Sequence, residues 1–132
     1  MEKIKSFEDL VCWQKGRAIR MEISQLIKQF PAEEKFELVS QMRRASRSVT
    51  HNLAEGYGRF HFKENIQFCR VSRGSLYEIK DQLITALDEQ YIDEKKFEKL
   101  KKKVEEGIVV LNGYINYLKK ADKSYLLLTL NF

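Results

Sequence analysis

One proline, Pro31, and two cysteines, Cys12 and Cys69, are all that this chain of 132 residues has of either type. Two cysteines cannot frame a disulfide-held secreted domain. Each falls on an apolar helical stripe, where a reduced thiol behaves as a small hydrophobe, so a cytoplasmic protein is expected. No apolar run approaches the roughly 20 residues a membrane helix needs. The start, Met-Glu-Lys-Ile-Lys-Ser, lacks the apolar core of a signal peptide, so neither crossing nor entering a membrane is expected. Sustained two-residue alternation with hairpin signals is missing too, which argues against strands. There is no internal repeat or low-complexity linker.

Chemical signatures are equally scarce. The chain has no Gly-x-x-x-x-Gly-Lys-Ser/Thr phosphate loop and no dinucleotide fingerprint, so nucleotide-dependent chemistry has no cradle. No Cys-x-x-Cys, His-x-x-x-His or Glu-x-x-His pair fixes a metal geometry for His51, His61, Glu55 or Cys69. Ser48, His51 and Glu55 have helical spacing, but an outward helix face supplies neither a concave site nor an oxyanion hole. A non-enzyme with no catalytic residue, no metal and no cofactor is expected.

What is present is helical period and positive charge. Lys and Arg number 24 against 19 Asp and Glu, a formal charge of +5 that suits an anionic partner and equally serves solubility. Four apolar stripes recur near every 3.6 residues: Cys12, Gly16, Ile19, Ile23, Leu26, Phe30; Leu38, Val39, Met42, Ala45, Ser46, Val49, Leu53; Phe62, Ile66, Cys69, Ser72, Leu76, Ile79, Leu83, Ala86; and Phe97, Leu100, Val104, Ile108, Leu111, Ile115, Leu118. They predict an all-α, antiparallel up-down-up-down four-helix bundle over residues 1–122, with residues 123–132 as an apolar C-terminal tail that needs a covering surface.

The first helix is expected after Ser6, which has capping-box spacing to Asp9, and it is expected to end at Pro31. The second is expected to begin among residues 32–35 and to stop near Glu55, with Gly56 and Gly58 supplying a left-handed cap. Asp93 is the expected N-cap of the fourth. Gly74, in mid-helix, predicts a close helix or subunit approach.

The densest arginine cluster lies in the second helix, where Arg43, Arg44, Arg47 and His51 oppose the core stripe. Arg59, Lys63, Arg70 and Arg73 follow, the last three on one flank of the third helix with Tyr77, and are expected to extend that surface. These seven cations are the candidate phosphate contacts. Trp13, Tyr77, Tyr114 and Tyr117 are stacking candidates if exposed, and without the RNP aromatic signature contacts to phosphate are expected to dominate. Asn52 and Glu55 read as end-of-helix hydrogen bonding. The lysines at 99 and 101–103 are flanked by Glu98, Glu105 and Glu106 and read as a solvated face.

Gln41-Met-Arg-Arg-Ala45, Asn52-Leu-Ala-Glu-Gly56, Gly58-Arg59, Phe7-Glu-Asp-Leu10, Trp13-Gln-Lys15, Phe30-Pro31 and Arg73-Gly-Ser-Leu-Tyr-Glu78 together resemble the bacterial four-helix-bundle family of 23S rRNA intervening-sequence proteins. The resemblance implies a ring-like homo-oligomer, a pentamer, with itself as first partner. RNA is the leading further partner. The family is also similar to accessory subunits of diversity-generating retroelements, which gives a protein scaffold with a reverse-transcriptase partner as the alternative.

Overall fold

Four apolar stripes of helical period are buried together only if the helices carrying them face a common axis. That is the arrangement in the computed structural model, which describes residues 4–130. Helix α1 spans Val11–Leu26, α2 Leu38–Tyr57, α3 Phe62–Asp88 and α4 Glu94–Leu130, and no strand occurs among the described residues. Every residue of the four stripes is buried except Phe62, which is half-buried.

Side-chain register shows the antiparallel course. Arg20 of α1 reaches Thr50 of α2. The Ser72 hydroxyl of α3 donates to the Val49 carbonyl of α2 at 2.8 Å, and Ser75 meets Ser48 at 2.8 Å. Arg73 and Lys80 of α3 meet Asn112 and Glu105 of α4. Lys103 of α4 returns to Glu22 of α1. Each helix therefore packs on its chain neighbours, α1 closes on α4, and the α1–α4 seam is the least extensive of the four.

Two glycines make close approaches. A Cβ on Gly16 would stand 2.9 Å from Val49, and one on Gly56 would stand 2.7 Å from Asn65 Oδ1 and 2.8 Å from the Phe68 Cβ. Gly74, by contrast, has no atom within 4 Å of an added Cβ and is exposed, so the close helix approach expected there does not occur within the chain.

The helix ends depart from the expectations in physical detail. Ser6 and Asp9 do form a capping box, but it heads a short 3-10 turn, Phe7–Asp9, ahead of α1. α1 runs out as a second such turn, Ile27–Gln29, before Phe30 turns extended (ψ 155°), as the residue preceding a proline must. Ala32–Glu34 forms another 3-10 turn, and Glu37 (φ −117°, ψ −104°) breaks the path between that turn and Leu38, so α2 starts later than expected. No described glycine has positive φ. Gly58 closes α2 in the right-handed region instead, donating to the Ala54 and Glu55 carbonyls. The left-handed cap falls to Gln90 (φ 63°) after α3, where Gln90 N–H reaches Leu87 O and Tyr91 N–H reaches Ala86 O. Asp93 caps α4 as expected, its Oδ1 accepting from Lys96 N–H at 2.7 Å. α4 continues unbroken through residue 122 to Leu130, so residues 123–130 prolong that helix, and residues 131–132 lie outside the described residues.

Candidate nucleic-acid interface

α2 turns its polar side outward because the opposite side fills the core. Arg43, Arg44 and Arg47 are all exposed. Arg43 and Arg47 lean over the seam with α1, where they meet Arg20, an arginine the sequence reading passed over. Arg20 Nη1 donates to Thr50 Oγ1 at 2.8 Å, which fixes its guanidinium over the seam. The three arginines, with Ser24, Ser46, Met21 and Ile27, line a cleft of about 170 Å³. Ser46 spends its hydroxyl proton on the Arg43 carbonyl. Among the described residues the side chains of Arg43, Arg44, Arg47, Lys63 and Arg70 have no acidic or hydrogen-bonding partner.

The remaining cations are placed otherwise. Arg59 is half-neutralised, with Glu55 at 3.6 Å and Glu64 at 3.8 Å, and its guanidinium covers Phe68 at 4.9 Å. Arg73 is drawn across to α4 by Asn112 at 2.8 Å. Arg70 and Lys63, at spacings of three and seven along the same helix, share that flank. The α2–α3 seam between the two groups is filled by Ser48 and Ser75, with Asn52 donating to Ser48. The α3 cations therefore do not prolong the α2 surface as expected. They form a second strip toward α4.

Ser48 is committed to Ser75 and Asn52, while His51 turns to Glu55 at 3.4 Å, so Ser48, His51 and Glu55 do not converge. Asn52 donates to the carbonyl and the hydroxyl of Ser48, one turn back in α2. Among the described residues no three His, Cys, Asp or Glu side chains gather around one point. No helix there is long and apolar enough to cross a membrane.

A larger cleft, of about 520 Å³, opens at the end of the bundle where α1 begins, α2 turns into α3, and the late part of α4 passes. It sits at the loosest seam. Its walls include Tyr57, Phe60, Phe62, Tyr114 and Tyr117, with Arg59, His61 and Asp9 among its polar groups. Tyr114 and Tyr117 lie with ring planes 15° apart and centroids 6.3 Å apart. Asn65, 7 % exposed, donates to the Tyr114 hydroxyl at 3.2 Å, and burial pushes the Tyr114 phenol up to about 12. Of the four expected stacking candidates, Tyr114 and Tyr117 meet here. Trp13 is half-buried with its edge on Phe7 and Arg17 beside it, and Tyr77 stands exposed on α3. Cys12 borders the cleft too, but burial lifts its thiol to about 11, which keeps it protonated and unreactive.

Among curated proteins none matches this chain. Among solved structures, the chain is similar to a protein of unknown function from the S23 ribosomal protein family of Bacteroides thetaiotaomicron VPI-5482. The TM-score is 0.74 at 20% identity, over 80% of this chain and 96% of that one, a likeness of fold. Neither that description nor the family's names a catalytic activity. The pattern of the 23S rRNA-intervening sequence protein family matches residues 8–113, and the chain belongs to that family.

Proposed function

We propose that this protein is a non-catalytic accessory protein that binds structured RNA through phosphate contacts and works as a homo-oligomer. The observation that carries the reading is the α1–α2 cleft, where Arg20, Arg43 and Arg47 converge and neither Arg43 nor Arg47 has an acid partner among the described residues. Surface arginines that serve structure are normally matched by carboxylates, as Arg59 is by Glu55 and Glu64. A cluster left unmatched is held ready for an anion from outside. The family's name links its members to 23S rRNA intervening sequences, which brings RNA forward as that anion. Repetition of the cleft around an oligomer would convert a weak site into an avid one.

The test is the triple variant Arg43→Gln, Arg44→Gln, Arg47→Gln. Because the three oppose the core stripe, melting temperature and particle mass should hold. RNA affinity should fall for all sequences alike, and the slope of log affinity against log salt should become shallower by up to about one unit per lost contact. Unchanged affinity, or no binding by the parent even at low salt, would sink the proposal. Dissociation of the variant oligomer would favour a protein scaffold instead, a reading supported by the exposed Leu127 and Leu128 near the end of α4.

A further inference from the structure

We infer that the cleft at the end of the bundle is a capture site for one unpaired nucleobase of a bound RNA strand, an inference that rests on the RNA-binding reading above. The cleft's size of about 520 Å³ lies within the range of small-ligand sites and is ample for a base and its sugar. Its walls are aromatic: Phe60 and Tyr117 stand 84 % and 64 % exposed, and Tyr114 lies near-parallel to Tyr117. Exposed rings around a concavity offer the π-faces on which bases of any sequence stack.

The polar groups decide the occupant. Asn65, a nearly buried amide, lines the cleft and donates to the Tyr114 hydroxyl, so that hydroxyl acts as an acceptor. Its own proton has no acceptor among the described residues. A phenol O–H on the wall of a cleft, with no protein acceptor among the described residues, is placed to donate to a ligand that brings one. The carbonyl oxygens and ring nitrogens of a base bring such acceptors on the edge of a flat apolar body. The charge for the backbone comes from Lys63, unpaired among the described residues and two positions beyond the cleft residue His61, since Arg59 on the cleft is already shared between Glu55 and Glu64.

The experiment compares the full-length protein with the double variant Phe60→Ala, Tyr117→Ala, two exposed rings whose loss strips no core. Fluorescence anisotropy reads binding of short labelled oligouridine and oligoadenosine strands and of an RNA duplex of equal length, each across a salt series. The double variant should lose about ten-fold in single-strand affinity with an unchanged salt slope, and duplex affinity should hold. Tyr114→Phe keeps the ring and deletes the hydroxyl, both as donor to the cleft and as acceptor from Asn65, and should weaken single-strand binding while the melting temperature of the variant reports the cost of the lost Asn65 bond. Single-strand affinity unaffected by the double variant overturns the base site, and if duplex binding still falls in the triple arginine variant, the RNA-binding reading survives that loss. A drop in particle mass on the Phe60 and Tyr117 substitutions also overturns it, since the cleft would then be a subunit contact. A parent that binds neither strand nor duplex removes both proposals.

Discussion

Cys69 is fully buried, and burial together with the neighbouring Cys12 pushes its thiol from 9.0 up to about 12. Cys12 rises from 9.0 to about 11 and Tyr114 from 10.0 to about 12, each mainly through burial. A raised pKa in the folded state means that the fold holds a proton the unfolded chain has already released. Stability from these groups is therefore complete below pH 9.0 and is lost as pH climbs through the window from 9.0 to about 12. Cys69→Ala removes one of the three, leaving a sulfur-sized gap and the Asn65 Oδ1 without the thiol at 3.5 Å. Urea midpoints measured through that window should decline less steeply in the variant than in the parent, and parallel declines would show that Cys69 does not titrate with unfolding.

Helices read well from the sequence where a stripe repeats and badly where a single residue decides. The four core stripes were legible because burial imposes period on every helix. Their ends were not, since a 3-10 turn such as Ala32–Glu34 carries the same acidic start signal as an α-helix. The left-handed cap fell to Gln90, whose side chain announces nothing, while the glycine expected to take that conformation is needed for space: Gly56 admits Asn65 and Phe68 against α2. Arg20 escaped notice because one arginine on a helix is unremarkable until Arg43 and Arg47 arrive across the seam. The end cleft was hidden for the same reason, its lining coming from separate segments of the chain. Glycine roles can be separated by experiment. Gly56→Ala should cost about 1–3 kcal/mol, because its Cβ would need both Asn65 and the Phe68 Cβ to move. Gly74→Ala meets no atom within 4 Å and should gain about 1 kcal/mol from helix propensity. Thermal melts decide, and a loss on Gly74→Ala would mean that a second copy packs against that face.

For the whole molecule the question is what covers the end of α4. Among the described residues the last in the core is Leu118, yet the helix carries on to Leu130, with the Tyr125 and Phe62 ring centroids 6.5 Å apart and Leu127 and Leu128 64 % and 63 % exposed. Apolar surface of this density on a helix that leaves its own core would serve as an association surface in the proposed homo-oligomer, where symmetry would present it on every subunit. Truncation after Asp122 removes no buried core residue among the described residues, so helicity per residue and the folding transition should persist. If the prolonged α4 holds the subunits together, light scattering should show the particle mass falling toward that of one chain. RNA affinity should fall with it as avidity is lost, while the salt slope per chain should stay the same if the arginines of α2 set it. An unchanged mass would place the subunit contacts on the bundle's flanks, and the strip of α3 around Gly74 would then be the next surface to test.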